Sequence, residues 1–587
     1  MRHTKIICTI GPATASEQMI EKLALGGMDC CRLNFSHGDH ESHGSVISII
    51  KQVRERLNRP LSILLDTKGP ELRLGEFAGG PVTLTEGQPF VLTTLDEPCT
   101  AERAHINFEG LPLDVKPGDT VLLDDGLIVL QVNAVPDSQT ILCTVLNTGE
   151  ISSHKKLTVP GVSLSLPSMT DFDKADLLFG IEQGVDFVAA SFTRKAQDIL
   201  EIRQFLEENG GRHIRIVAKI ENREGLNNIE DIISVADALM VARGDMGVEI
   251  PAEDVPIEQS RIVSSCAQHN TPVIIATQML DSMIRNPRPT RAEVSDVAEA
   301  VLQGADCIML SGETAAGKYP VESLATMARI AERMERSIDY RERFSRHMQS
   351  AGKFATVTGA ISHAVCMSAM DLGASAIVTC TVTGSTAMAV ANHRPGCPIL
   401  ATTTEPQTYR HLTLIWGVLP IMSSTVSNTD EMIDNSVQAA FEAGVTRSGD
   451  IIVITAGVPV GQAGTTNLIK IHHVGDILIK GRGVGDRPAY GMVCMASCSV
   501  EAREKFAEGY ILAVDSTDNS MLPFLKKAAA IITCDSNPNA HAAVVGLALD
   551  IPVIFDAANL FEVLRDGMFV TVDPSTGYVY NGKAKLL

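Results

Sequence analysis

The sequence predicts an α/β chain whose first two-thirds form a closed (β/α)8 barrel interrupted by an all-β insertion. Three observations carry that expectation. About eight short runs rich in Val, Ile, Leu and Cys recur without polar alternation, as strands buried on both faces do. An amphipathic helical pattern follows them, and so many units in one run favour closure over a doubly wound sheet. Between Lys68 and roughly Thr170 the helical pattern disappears, and short alternating runs with turn signals replace it.

Taken in order, barrel strands are expected at Thr4–Ile10, Met28–Leu33, Leu61–Leu65, Asp186–Ala190, Ile214–Ala218, Ala238–Ala242, Pro272–Ala276 and Asp306–Leu310. Helices are expected at Ser16–Leu25, His40–Leu57, Asp173–Ile181, Lys195–Glu208, Leu226–Val235, Pro256–His269, Arg291–Leu302 and Val321–Arg336. These define a barrel over 1–68 and 171–345. The insertion, 69–170, reads PVTLTEG, FVLTTLD, DTVLLDDGLIVLQVNAV, TILCTVLNTG and KKLTVPG, a β-barrel-like module. It follows the third strand at the end of the barrel where active sites sit, so it is expected to act as a lid. Residues 346–474 read as an open α/β domain, from helix Val357–Met370 to strand Ile469–Val474. Residues 475–587 form a last domain with a Gly-rich link (KGRGVGDRP) and a closing hairpin, FVTVDPSTGYVYNG.

Composition narrows the function classes. A chain of 587 residues with 45% hydrophobic and 20% charged content is a soluble globular protein of three or four domains. Its net charge of −21 argues against general nucleic-acid or anionic-membrane binding. The start, MRHTKIICTIGPATAS, reads as neither a signal peptide nor a membrane span. Thirteen cysteines without a CxxC pair read as reduced thiols of a cytoplasmic protein.

The chemistry concentrates in Ile214–Glu249. Lys219 and Glu221 are two apart on a strand and so face the same way, while Asp245 follows the next strand. A cation beside two carboxylates at the mouth of a parallel sheet suggests a divalent metal handling an anionic substrate. Surface ion pairs at strand ends are the bland alternative. Strand ends elsewhere add Arg32, Asn34, Ser36, Asp66, Thr67, Thr277 and Ser311, all at one end of the barrel. Asp124 and Asp125 in the insertion fit an Asp-Asp-Gly turn or an approach to ligand on closure.

The blocks TKIICTIGPAT, CRLNFSHGDH, LLDTKGPELR, AKIENREG, VARGDMGVEI, ATQMLDSMIRNPRPTRAE and MLSGETAAGKYP closely resemble pyruvate kinases, and the resemblance extends to GTTNLIKIH, over roughly residues 1–474. The resemblance implies phosphoryl transfer from phosphoenolpyruvate to ADP in a cytoplasmic homotetramer. It implies Mg²⁺ (or Mn²⁺) on Glu221 and Asp245, and Lys219 at the transferring phosphoryl group. Thr277 takes part in protonating the enolate, completed by a water relay because a threonine is too weak an acid alone. The resemblance further implies that Arg32 binds the phosphoryl group and that the backbone at Gly244 and Asp245 receives the substrate carboxylate. Asn34, His37, Arg73 and Lys195 lie on the nucleotide side, though His37 equally suits a structural hydrogen bond. Asn34, Ser36, Asp66 and Thr67 match a K⁺ site, and Glu71 matches the K⁺-requiring members. Ser311 reads as packing behind the site.

In the α/β domain, TCTVTGSTA is similar to the family's effector-phosphate loop and implicates Thr381, Thr383, Ser385 and Thr386. Val382 stands where members activated by fructose 1,6-bisphosphate carry lysine, so AMP or a sugar monophosphate is the better match. An ordinary capped helix start is the alternative. HAAVVGLALDIPVIF resembles the phosphohistidine domain of phosphoenolpyruvate-utilising enzymes, with His541 at the phosphohistidine position. The preceding SNPNA lacks that motif's glycines and hydroxyls, which favours a structural or interaction role. Two other functions stay open. A metal-enolate lyase or aldolase would need the carboxylates but not Lys219 or the K⁺ set. A catalytically silent metabolite sensor would show damage among the catalytic residues.

Overall fold

A computed structural model describes residues 2–351, 356–424, 428–447, 449–457, 466–474 and 477–582. The expected domain boundary at Gly475 falls outside them. The chain divides into two compact units. One comprises residues 1–354, 382–394 and 403–422, and the other the remainder.

In the first unit, eight parallel strands close into a barrel: Lys5–Thr9, Cys30–Asn34, Ser62–Asp66, Phe187–Ala190, Arg215–Ile220, Ala238–Ala242, Val273–Ala276 and Cys307–Leu310. Their bounds fall within two residues of the sequence expectation, because a doubly buried strand is marked by its apolar run. Period-two alternation sends Ile7, Leu64, Val217, Met240 and Met309 into the barrel interior. The same alternation sends Ile6, Ile63 and Ile216 outward to pack against helix residues such as Leu23 and Ile50. One step above the interior layer on the same faces come Thr9, Arg32, Asp66 and Lys219. The barrel therefore ends in a polar layer on top of an apolar plug.

The helix expected at Leu226–Val235 is two pieces, Arg223–Asn227 and Ile229–Val235. Asn228 leaves the helical conformation at φ −100° and ψ 18°, and its side-chain amide donates to the Arg194 carbonyl at 2.9 Å. The apolar period runs on across that break, so the pattern alone hides it.

The insertion, the expected lid, is a module with its own core, including Leu84, Phe90, Val121 and Leu130, separate from the barrel's. Its seven-stranded sheet holds four of the five expected runs plus two short strands that carry too few residues to show a period, Leu72–Arg73 and Arg103–His105. The run PVTLTEG instead supplies Val82–Leu84, which pairs with Gly149–Ile151 in a separate two-stranded sheet. Asp124, Asp125 and Gly126 all adopt positive φ, which makes the Asp-Asp-Gly run a tight turn, and Lys155 holds Asp124 at 2.9 Å. Where the chain returns to the barrel, the buried Arg194 guanidinium donates to the carbonyls of Leu164 at 2.8 Å and Leu166 at 2.7 Å.

Residues 403–422 seal the opposite end of the barrel. Leu414 joins the interior cluster, Thr413 meets Ser62 at 2.6 Å, and Arg410 pairs with Asp186 at 2.5 Å. In the second unit, strands Ala376–Cys380 and Ile451–Gly457 pair in parallel, and Thr466–His473 closes antiparallel on the latter. The last domain is an eight-stranded sheet with two cores of its own. It ends in the expected hairpin, Phe569–Asp573 with Tyr578–Asn581. No helix among the described residues is long and apolar enough to cross a membrane.

Candidate active site

Asp66 is the hub of the polar layer. It ends the third barrel strand fully buried, opposite Asn34 on one neighbouring strand and Ala189 on the other. Its Oδ2 accepts from Arg32 Nε at 2.6 Å, and its Oδ1 accepts from Lys219 Nζ at 3.0 Å and Ser191 Oγ at 3.2 Å. Burial works against the charge on Asp66, but Arg32 and Lys219 outweigh it and hold the carboxyl below its usual range. Lys219 also reaches Ser191 Oγ at 2.7 Å and Glu221 Oε1 at 3.0 Å. Burial disfavours its ammonium, yet Asp66 and Glu221 prevail and keep its pKa above that of a free lysine. Lys219 is thus a permanently charged, rigidly oriented cation. Arg32 is fixed likewise, by Asp66 and by Thr9 Oγ1 at 2.9 Å.

Glu221 faces the same way as Lys219, as the strand period requires. Its Oε2 accepts from the Phe192 amide at 2.6 Å. Burial raises its pKa; Lys219 opposes that shift, and Asp245 reinforces it. Asp245 comes from the short helix Arg243–Glu249 that follows the sixth strand. Two carboxylates close enough to perturb one another are hard oxygen donors suited to Mg²⁺ or Mn²⁺. Among the described residues no third acidic, histidine or cysteine side chain completes a cage. A site with two protein carboxylates fits an ion that takes its other ligands from substrate and water, as Mg²⁺ does in phosphoryl-transfer enzymes.

Thr277 follows the seventh strand. Its Oγ1 accepts from the Gly244 amide at 2.8 Å and donates to the Ala276 carbonyl at 2.6 Å. Thr277 sits at φ 68° and Gln278 at φ 55°, a left-handed conformation that is costly for a β-branched residue. Arg243 braces this turn by donating to the Thr277 carbonyl at 2.7 Å, and Glu313 does so by accepting from the Leu280 amide at 3.0 Å.

A family model described as pyruvate kinase, barrel domain, matches residues 1–324, more than half of the chain. The chain belongs to the pyruvate kinase family. Further models match the pyruvate kinase alpha/beta domain at 359–472 and the mobile domain of PEP-utilising enzymes at 506–577. A pyruvate kinase of Geobacillus stearothermophilus is 50% identical, and one of Bacillus licheniformis 47%, each over 100% of both chains. The crystal structure of a pyruvate kinase from Cryptosporidium parvum matches with a TM-score of 0.77 and 39% identity, covering 81% of this chain and 96% of its own. The chain is accordingly a kinase, a phosphotransferase with the three-part architecture expected from its motif blocks plus the extra C-terminal domain.

The remaining candidate residues of this pyruvate kinase family member fall at barrel strand ends, in the insertion and in the later domains. Asn34 Oδ1 accepts from the Ser36 amide at 3.2 Å, and Thr67 Oγ1 accepts from the Ser191 amide at 3.3 Å. With Asp66, the register partner of Asn34, they carry amide, hydroxyl and carboxylate oxygens, a donor set suited to a hard cation. His37 donates its amide to the Asn34 carbonyl at 3.2 Å. Arg73 is held by Glu71, at 2.9 Å from its Nε, and donates to the His154 carbonyl at 2.8 Å. Lys195 is exposed at the start of its helix, and its neighbour Arg194 lines the cleft between lid and barrel. Ser311 Oγ is buried with no hydrogen-bond partner, behind the site. Thr383, Ser385 and Thr386 belong to the first unit, where Thr383 Oγ1 donates to Ser385 Oγ at 3.1 Å and Gly384 turns the chain at φ 88°. Thr381 belongs to the second unit and donates its amide to the Thr402 carbonyl at 3.0 Å. His541 is held at both ring nitrogens, by Thr517 Oγ1 at 2.9 Å and Asn519 Oδ1 at 3.2 Å.

Three residues around the catalytic layer carry no mark in the expected set. Ser191 and Phe192 immediately follow the fourth strand, so the strand-end rule that found the others applies to them equally. Lys156, on lid strand Lys156–Thr158, ion-pairs with Asp245 and lies 4.8 Å from the centre of the Phe192 ring. No local signal marks it. Lys156 and Phe192 line a cleft with a volume of about 160 Å³, which is also lined by Glu71, Arg194, Arg223 and Glu249.

Proposed function

We propose that this enzyme transfers the phosphoryl group of phosphoenolpyruvate to ADP, giving ATP and, after protonation of the enolate, pyruvate. The observation that carries the reading is Lys219, a buried ammonium fixed at 3.0 Å from both Asp66 and Glu221 at the mouth of the barrel. Phosphoryl transfer asks the protein chiefly for positioning and for fixed positive charge where negative charge spreads. Lys219 and Arg32 supply that charge with no reorganisation, because Asp66 has already oriented both.

Glu221 and Asp245 would hold Mg²⁺ or Mn²⁺, which when bound supplies Lewis-acid charge to the substrate carboxylate and phosphate oxygens. Asn34, Ser36, Asp66 and Thr67 would hold K⁺. Once the phosphoryl group has left, the enolate carbon takes a proton at the Thr277 side of the site. Thr277 Oγ1 is too weak an acid to act alone, so it positions a water relay. The Gly244–Asp245 backbone orients the substrate carboxylate, and Arg73 with Lys195, His37 and Asn34 faces the nucleotide. The loop containing Thr381, Thr383, Ser385 and Thr386 takes a phosphorylated activator with a single phosphate, AMP or a sugar monophosphate. The enzyme works in the cytoplasm as a homotetramer.

The test is pyruvate formation from phosphoenolpyruvate and ADP with Mg²⁺, comparing K⁺ with Na⁺ and then adding AMP or ribose 5-phosphate. Turnover that needs K⁺ and saturates at lower substrate with the monophosphate is the expected result. Folded protein inert under all of these conditions would overturn the reading. Turnover indifferent to K⁺ would remove the K⁺ assignment alone.

A further inference from the structure

Lys156 is the one lid side chain seen to form an ion pair with a carboxylate of the catalytic layer among the described residues. Its ammonium has a built seat. The Asp245 carboxylate meets it on one side and the face of Phe192 on another, 4.8 Å from the ring centre. A cation over an aromatic face gains most where water is excluded, and the Lys156 side chain is 16% exposed. Phe192 joins this seat to the catalytic layer, because its own amide donates to Glu221 at 2.6 Å. It does so from a left-handed conformation, φ 56°, that aims the amide at the Glu221 carboxylate and the ring at the Lys156 ammonium. The positive charge of the insertion therefore sits on the carboxylate that the divalent cation would use.

We propose that Lys156 and the divalent cation are alternative occupants of Asp245, so that closing the lid through Lys156 weakens metal binding and metal arrival frees the lid lysine. The proposal rests on the reading that Glu221 and Asp245 hold the divalent cation. Linkage makes the effect reciprocal: whatever the ion loses to Lys156, the closed lid loses to the ion. The Phe192 face favours an ammonium and offers nothing to a doubly charged, strongly hydrated ion, so it biases the seat toward the lid. The released Lys156 is then the nearest lid cation for an incoming anionic substrate. The device makes an empty site close on itself rather than stand open to water and stray cations.

The experiment is Mn²⁺ binding to the full chain, stripped with chelator, read by the electron paramagnetic resonance of free Mn²⁺ without substrate. Hydrogen exchange of the segment 156–158 is followed in the same titration. Wild type should bind Mn²⁺, Asp245→Asn should lose that binding, and Lys156→Gln should tighten it by about fivefold or more. Phe192→Leu should tighten it to a smaller degree, and Lys156→Arg should stay close to wild type. Saturating Mn²⁺ should raise exchange at 156–158 in wild type. Binding that Asp245→Asn leaves intact would overturn the metal reading itself. Binding lost in Asp245→Asn yet unchanged or weaker in a Lys156→Gln protein with a native circular dichroism spectrum would overturn the exchange proposal and leave the metal reading standing.

Discussion

At the scale of single residues, the site is an exercise in fixing charge before the substrate arrives. Asp66 spends both oxygens on Arg32 and Lys219, and Glu221 spends its own on Lys219 and Phe192. Replacing Lys219 with methionine removes the cation while keeping the shape of its stem. We expect kcat to fall roughly 10³-fold, the scale of losing one preorganised charge donor. Metal-dependent phosphoenolpyruvate binding, measured by fluorescence titration, should change little. Equal loss of binding and turnover would make Lys219 a binding group instead. Glu249 offers a different test. Burial lifts its carboxyl to about 7 in the fold, with the Arg223 amide opposing the shift. The unfolded chain gives up that proton near 4.5, so wild-type stability is lost as pH rises from there through about 7. Glu249→Gln escapes the loss. Its melting temperature relative to wild type should therefore climb between pH 5 and pH 8 and level off beyond. A constant difference would show that Glu249 ionises as freely as in the unfolded chain. The pairing of Lys219 with Glu221 was readable beforehand because two residues apart on a strand means one face. The seating of Lys156 was not, since it joins positions 89 apart through the placement of the lid.

At the scale of elements, the lid is a separately cored module whose tether matters more than its interior. Arg194 donates to three carbonyls of the returning segment, those of Leu164 at 2.8 Å, Leu166 at 2.7 Å and Pro167 at 3.3 Å, and Ser163 donates to Glu224 at 2.9 Å. Arg194→Ala strands those carbonyls and frees the tether. The expected cost is about 2 kcal/mol, the range for hydrogen bonds to a charged group, measured by urea unfolding. Amide exchange should rise across 162–167, and KM for ADP should rise more than KM for phosphoenolpyruvate. A lid that exchanges no faster in the variant would place the hinge elsewhere. The elements themselves were largely legible, because each barrel strand announces itself by a run without polar alternation and each flanking helix by its period. What escaped has a physical reason in each case. The helix Tyr340–Ala351 reads YRERFSRHMQSA, with too few apolar residues to show a stripe. Asn228 interrupts a continuous apolar period for the sake of a hydrogen bond to a distant carbonyl.

At the scale of the whole molecule, the question is what the last domain contributes. Its cores are drawn from residues 478–579 alone, while Arg32, Asp66, Lys219, Glu221, Asp245 and Thr277 all belong to the first unit. The preceding α/β sheet is complete with strand Thr466–His473. Truncation after Val474 therefore removes no core partner of the barrel and no group of the catalytic layer. We expect the shortened chain to keep kcat within about twofold of full length, as independent, distant parts of a protein do. Any change should appear in the response to a monophosphate activator or in thermal stability. His541, held at both ring nitrogens by Thr517 and Asn519, reads as a fastened side chain rather than a waiting phosphate acceptor. Incubation of the full chain with ³²P-labelled phosphoenolpyruvate should leave no acid-labile label that His541→Ala removes. Such a label, or a truncated chain that is folded and correctly assembled yet inactive, would make the last domain part of the catalytic cycle. The extra domain is present throughout the full-length alignment with the Geobacillus relative, so the outcome bears on why a chain with a complete barrel site carries it at all.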